Sequence, residues 1–115
     1  MNERIKKTLI SKLDRIEDAK REELSFTVTE CRGHKSRLDL LIVTMQTENG
    51  KTVRESFFIK SPGRLISLLK SCGVYRPDMT AGGVLQDLPG KTGRAVFLTD
   101  PDGETHFSHP ITPDE

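Results

Sequence analysis

The residues of this 115-residue chain best suited to chemistry are cations that alternate with an aromatic ring. Arg54, Phe58 and Lys60 are four and two residues apart, so in a β-strand their side chains share one face. Cations at this spacing can follow the phosphates of a polynucleotide, and an exposed ring can stack on a base. Core packing is the alternative for the ring, because either Phe57 or Phe58 must point inward. The pattern predicts a binding surface rather than a catalytic site.

Charge is distributed unevenly along the chain, although the net charge is only +1. Residues 31–76 hold nine basic and three acidic side chains, whereas residues 77–115 hold two basic and seven acidic ones. This favours a local site for a polyanion, with ordinary solvated surface as the alternative. An acidic segment around Asp100, Asp102 and Glu104 would repel phosphate on its side of the site. The predicted nucleic-acid-binding residues are Arg32, Lys35, Arg37, Arg54, Phe58, Lys60 and Arg64.

No pattern in the sequence predicts catalysis, a metal or a cofactor. Gly90-Lys91-Thr92 resembles the end of a phosphate-binding P-loop, but Leu85 stands where that motif needs glycine. Four potential metal ligands are Cys31, His34, His106 and His109. Imidazoles three residues apart on a strand point to opposite faces, and the spacing fits no standard zinc site. Because no nucleophile–base pair is recognisable either, we expect no enzyme.

Five strand-like runs position these residues. Residues 24–30 alternate strictly between apolar and polar side chains, which predicts a half-buried strand with Leu24, Phe26 and Val28 inward. Residues 31–36 have the composition of a loop. Asn49-Gly50 separates the next two runs and predicts a hairpin with a type I′ turn. The predicted strands cover residues 24–30, 37–47, 53–60, 94–99 and 104–107.

A helix is predicted between the third and fourth strands. Ser61 is placed to cap it, Pro62 to occupy its first position and Gly73 to end it in the left-handed conformation. Its buried stripe is Leu65, Leu68, Leu69 and Cys72. The order of three strands, a helix and two strands is that of a small five-stranded Greek-key barrel of the OB type. We therefore predict an α+β fold that is mainly β.

One domain accounts for the chain, in three segments. Residues 1–22 are predicted to form an amphipathic helix, which either covers one end of the barrel or pairs with a second copy. Residues 23–109 form the barrel and residues 110–115 a short tail. No run is long and apolar enough to be a membrane span or a signal peptide, and two cysteines suggest no disulfide framework. We expect a cytoplasmic protein without membrane contact.

The placement of turns resembles that of a loose family of phage-encoded, uncharacterised proteins similar to single-stranded-DNA-binding proteins. The resemblance covers residues 24–107. It consists of the run 40–44, Asn49-Gly50, Phe58-x-x-Ser61-Pro62, the run 65–73 and Leu88-Pro89-Gly90-Lys91. It implies an OB barrel acting in phage replication or recombination, and it assigns no binding residue. This chain departs from the family by its N-terminal helix and by lacking a long acidic C-terminal tail.

Two functions follow from these observations. The leading hypothesis is a non-catalytic module that binds single-stranded DNA through its basic strands and one stacking ring. The alternative is a protein–protein adaptor or inhibitor from a mobile element. That protein would act through the N-terminal helix or the charge-separated surface.

Overall fold

One antiparallel sheet organises the part of the chain that the computed structural model describes, residues 19–112. Its strands are β1 (Lys20–Gly33), β2 (Leu40–Thr47), β3 (Thr52–Phe58), β4 (Thr92–Thr99) and β5 (Thr105–Ile111). Two helices, α1 (Gly63–Ser71) and α2 (Ala81–Asp87), lie between β3 and β4 in the chain. The predicted amphipathic helix lies outside the described residues, except that residues 20–22 belong to β1.

The central strand β1 serves two neighbours because it is 14 residues long. Its first part pairs with β4 and its second part with β2, which gives the strand order β3-β2-β1-β4-β5. A bulge between Val28 and Glu30 interrupts the pairing with β2, and bulges increase the local twist of a strand. The sheet curls into a half-barrel in which the outer strands approach, with the rings of Phe57 and Phe107 5.8 Å apart. The architecture is mainly β with two helices and is consistent with an OB-like α+β fold.

The concave side of the sheet holds the core. Period-two alternation directs Phe26, Phe57 and Phe97 inward, and edge-to-face contacts join Phe97 to Phe26 at 6.2 Å and to Phe107 at 5.7 Å. From α1, three leucines at the spacing of one helix face complete this core: Leu65, Leu68 and Leu69. The helix therefore closes one side of the half-barrel, as its predicted buried stripe requires.

A close approach between α1 and β4 depends on Gly93. A Cβ atom at this position would lie 2.9 Å from Cζ of Phe26 and 2.9 Å from Oγ of Ser71. The same hydroxyl donates to the carbonyl of Arg94 at 2.8 Å and accepts from its N–H at 3.1 Å. The absence of a side chain at Gly93 therefore allows a hydrogen-bonded junction between helix and strand.

Two predicted details of the turns are wrong. None of the described non-glycine residues has a positive φ, so Asn49 does not form the predicted type I′ turn. Within this turn only Gly50 has a positive φ (83°). The carbonyl of Thr47 accepts from the N–H of Gly50, and the N–H of Thr47 donates to the carbonyl of Lys51, as in a type I turn followed by a bulge. Likewise α1 begins at Gly63 with Pro62 at its N-cap position, which has no side-chain hydrogen bond. Ser61 is therefore not the cap.

The end of α1 and the extent of three strands complete the comparison. Gly73 has φ 72° and donates to the carbonyl of Lys70 at 3.1 Å, which confirms the predicted helix end. β1 continues to Gly33, so Arg32 lies in a strand rather than in the predicted loop, while β2 begins at Leu40 and not at residue 37. β5 continues to Ile111, because that residue pairs with Arg94, so residues 110 and 111 are strand and not tail.

Candidate functional site

The outward face of β2 and β3 carries the first part of the candidate site. Phe57 is 1% exposed, whereas the neighbouring Phe58 is 51% exposed. Phe58 pairs with Leu40 and Arg54 with Thr44, so both side chains stand on the face opposite the core. This arrangement resolves the choice between the two phenylalanines. An aromatic ring and a cation share one strand face directed to solvent.

A second cation covers this ring from the loop that joins β1 to β2, residues 34–39. The guanidinium of Arg37 lies 5.9 Å from the centroid of Phe58, and its Nη2 atom is 3.1 Å from Oδ2 of Asp39. The N–H of Ile59 donates to the carbonyl of Asp39 at 2.8 Å, which holds this loop against the end of β3. β3 ends at Phe58 and not at residue 60 as predicted, so Lys60 lies just beyond the strand rather than on its face. Its side chain is exposed. Loop and strand end therefore form one continuous surface around Phe58.

His34 gives the β1–β2 loop its shape. Its Nδ1 atom accepts hydrogen bonds from the N–H groups of Ser36 at 3.2 Å and of Arg37 at 3.1 Å. The nitrogen that accepts both must carry a lone pair, so we assign the proton of the neutral ring to Nε2. His34 is therefore occupied in positioning Arg37 and the next residue, Leu38, whose side chain is 94% exposed at the loop tip.

The remaining predicted cations differ in their surroundings. Within residues 19–112, Lys35, Arg54 and Lys60 form no ion pair shorter than 4 Å. Arg32 stands on the outward face beside Ile42, with its Nε atom 3.3 Å from Oε1 of Glu30. Of these three cations, Lys60 lies close enough to Asp39 for its charge to act on that carboxylate. Arg32 and Arg37 each share their charge with a carboxylate.

Arg64 lies apart from the surface around Phe58. Its guanidinium lies over the rings of Phe57 and Phe107, at 5.3 and 5.4 Å from their centroids. Its Nη2 donates to the carbonyl of Ser108 at 3.1 Å and lies 3.6 Å from a carboxylate oxygen of Glu55. The side chain joins α1 to β3 and β5 where the half-barrel closes, a structural position that the sequence pattern did not indicate.

The histidines and cysteines considered as metal ligands do not gather in residues 19–112. Within the described residues, one group of three side chains has potential metal-ligating atoms within 4.8 Å of one another. It consists of Asp100, Glu104 and His106. The backbone N–H of Glu104, ahead of the other groups around it, holds the pKa of Asp100 below its usual value. Burial raises the pKa of the Cys72 thiol to about 11. Burial, together with the negative charge of Glu30, raises the pKa of the Cys31 thiol to about 11 as well. Both thiols are therefore neutral and weak as nucleophiles or ligands at neutral pH.

Leu38 and Asp39 are the site residues that sequence reasoning missed. Both lie in a short polar loop, where no periodicity marks a side chain as exposed or paired. A lone leucine between two charged residues in such a loop is the signal that would have indicated Leu38. Nothing in the sequence indicates that Asp39 binds Arg37 beside an aromatic ring.

Comparisons of this chain with protein-family models, with curated proteins and with solved structures return no match. Neither α1 nor α2, the helices of the described residues, has the length and apolar character needed to cross a lipid bilayer. The geometry around Phe58 is therefore the basis for proposing a function.

Proposed function

We propose that this protein is a non-catalytic module that binds single-stranded DNA across the outward face of β2 and β3. The proposal includes an OB-like Greek-key barrel as the finer description of the fold. It is supported by the order β3-β2-β1-β4, by the approach of β3 to β5 and by α1 between β3 and β4. The resemblance to phage-encoded proteins suggests a role in replication or recombination.

The exposure of Phe58 is the observation that carries the proposal. A phenylalanine half exposed on a strand face loses hydrophobic stabilisation unless a ligand covers it, and a stacked base does so regardless of its identity. Arg54 stands on the same face four residues earlier, about 13 Å away along the strand. That span corresponds to a few nucleotides, in line with site sizes of about 4–16 nucleotides for one OB fold.

The charges around the ring suit a phosphate backbone on one side only. Lys35, Arg54 and Lys60 are available to phosphates, with Arg32 and Arg37 beside them. Toward β5, Arg54 also lines a cleft of about 560 Å³ whose opposite wall includes Glu104 and His106. Because Glu104 would repel phosphate there, the bound strand is expected to remain on the β2–β3 side of this cleft.

Replacing the ring tests the proposal directly. Phe58→Ala should weaken binding of a labelled single-stranded oligonucleotide by roughly 5- to 150-fold, from a stacking contribution of about 1–3 kcal/mol. Fluorescence anisotropy at low salt measures the affinity, and thermal unfolding checks that the variant remains folded. Because about half of Phe58 is buried, its removal should lower the melting temperature by several degrees, so the affinity is compared at a temperature at which both proteins are folded. Unaltered affinity in a folded variant contradicts the proposal.

A protein–protein adaptor is the second candidate, favoured by the exposure of Leu38. A leucine 94% exposed, next in sequence to the arginine that lies over a half-exposed aromatic ring, is also typical of a protein contact surface. Salt distinguishes the two functions, since contact through apolar side chains is far less sensitive to ionic strength than binding of a polyanion. If the protein self-associates, Leu38→Ser should reduce the association in size-exclusion chromatography under the adaptor hypothesis.

A further inference from the structure

We propose that a pocket beside Phe58 accepts one unpaired base and prefers guanine to thymine through the carboxylate of Asp39. This inference rests on the proposed function and names the part of a nucleotide chain that the site distinguishes. The pocket has a volume of about 490 Å³, within the range of small-molecule sites. Its lining residues are Ser36, Arg37, Leu38, Asp39, Ile59 and Lys60.

The pocket has apolar sides and a cationic margin. Leu38 is exposed and Ile59 half-buried, so each offers apolar surface against which a flat base can pack. Lys60 lies beside them, where it can contact the phosphate of the same nucleotide. Arg37 separates this pocket from Phe58, because its guanidinium lies over that ring and also bonds to Asp39. One base on Phe58 and a neighbouring base in the pocket would therefore flank a single guanidinium.

The pocket is held in shape before any ligand arrives. On one side the backbone bond from Ile59 to Asp39 joins loop to strand, and on the other His34 accepts two N–H groups of the loop. These bonds fix the backbone on both sides of Leu38. A preformed site loses less conformational entropy on binding than a loop that must first become ordered.

Asp39 is the side chain that needs an explanation on this surface. Its hydrogen bond from Arg37, ahead of its other contacts, holds its pKa below the usual value, so the group is a carboxylate at neutral pH. A carboxylate offers about four acceptor positions, and hydrogen bonds from Arg37 and from the backbone N–H of Asp39 itself leave the others open to a ligand. A fixed negative charge weakens binding of a polyanion unless the ligand donates hydrogen bonds to it. The bases of a nucleic acid are the part that can donate.

The four bases differ in what they can donate to a carboxylate. Guanine presents N1–H and its amino group side by side, matching the two oxygens. Cytosine and adenine offer one amino group each. Thymine offers one N–H between two carbonyl oxygens, which the carboxylate repels. Since pairing occupies these edges in a duplex, the contact is open only to an unpaired base.

The test compares labelled single strands of about nine nucleotides: oligothymidylate and versions in which every third base is guanine, cytosine, adenine or inosine. By anisotropy, the guanine strand should bind roughly tenfold more tightly than oligothymidylate, with cytosine and adenine between them. The inosine strand, whose base lacks the amino group, should bind several-fold more weakly than the guanine strand. This arm separates hydrogen bonding from stacking, because guanine and inosine have the same ring system.

Two variants complete the design. Asp39→Asn should bring the guanine and thymine strands to within about twofold of each other, since an amide offers one acceptor oxygen and places donors where the base also donates. Asp87→Asn is the matched control, because Asp87, the last residue of α2, binds Arg76 at 3.2 Å in a comparable exposed pair. The control should retain the preference for guanine.

The outcomes distinguish a failure of the guanine preference from a failure of single-strand binding itself. If none of the strands binds, the proposed function fails and this inference with it. If all strands bind equally, or Asp39→Asn raises every affinity by the same factor, the inference is overturned while the proposed function stands. If Asp87→Asn abolishes the guanine preference as Asp39→Asn does, the effect is not local to the pocket and the inference also fails.

Discussion

Salt dependence gives the sharpest quantitative test of the surface around Phe58. Binding of a single strand releases counterions, and the slope of log affinity against log salt is about −0.7 for each phosphate neutralised. Lys35, Arg54 and Lys60 form no ion pair shorter than 4 Å within residues 19–112, and Arg32 and Arg37 are each shared with a carboxylate. The structure thus predicts three to five contacts and a slope between about −2 and −3.5.

This slope translates into a large measurable effect. Raising salt from about 50 to about 200 mM should lower the affinity for a single-stranded oligonucleotide by roughly 20- to 130-fold. Removal of one contributing cation by Arg54→Ala should make the slope shallower by about 0.7. Lys91→Ala is the matched control, because it removes one exposed positive charge directly before β4, at a residue outside the predicted binding set.

Anisotropy titrations at four or five salt concentrations measure the slopes of the native protein and both variants. Two results would refute the reasoning. A native slope near zero means that phosphates are not bound by these cations. Equal changes in the slopes for Arg54→Ala and Lys91→Ala mean that charge acts from the whole surface rather than from the predicted face.

Three further predictions concern stability. Gly93→Ala should lower the free energy of unfolding by about 1–3 kcal/mol in urea titrations, because its methyl group would displace Phe26 or Ser71; wild-type stability would contradict the packing at this junction. Arg64→Ala should lower the free energy of unfolding by about 1–2 kcal/mol, because it removes the contacts with two rings and one carbonyl. It should change the affinity for an oligonucleotide less than twofold, and a larger loss of affinity would mean that Arg64 belongs to the binding site. The pKa of Asp100 is lower in the folded than in the unfolded state, so its contribution is present above about pH 4 and is lost as pH falls through the folded value. Asp100→Asn should therefore reduce the difference in the free energy of unfolding between about pH 7 and about pH 3. An unchanged difference would mean that Asp100 does not contribute to this pH dependence.

Local patterns predicted the parts of the fold that depend on neighbouring residues. Alternation along β1 identified its buried face, whereas the sequence left open which of Phe57 and Phe58 points inward, and the structure buries Phe57. The left-handed Gly73 was likewise predictable, because a helix end requires a residue that tolerates positive φ. The extent of β1 was not predictable, since its last residues are strand only because β2 pairs with them.

The candidate site was predictable only in part, for a related physical reason. Arg54 and Phe58 share a face by the geometry of one strand, which a sequence displays directly. Arg64 carries the same charge, but its position over two rings depends on the approach of α1 to β3 and β5, a tertiary event. Asp39 likewise becomes part of the candidate site only when the folded loop brings it against Arg37, which lies over Phe58. Charge identifies candidates, and the packing of distant segments decides which of them face a ligand.

The pairing of β1 separates the part of the molecule that should bind from the part that should mainly stabilise it. Its second half pairs with β2, the strand that lies between β1 and the Phe58 strand β3, whereas its first half pairs with β4, where Gly93 admits α1. If the proposed function holds, exposed substitutions on the outward face of β3, such as Phe58→Ala, act on contacts with the ligand, whereas Gly93→Ala acts on the equilibrium between folded and unfolded chain. Sites that share no partners are close to additive. A folded double variant of Gly93→Ala and Phe58→Ala should therefore show the sum of the two single changes in stability and the affinity of Phe58→Ala. A marked departure from this sum would mean that the two sites are energetically coupled.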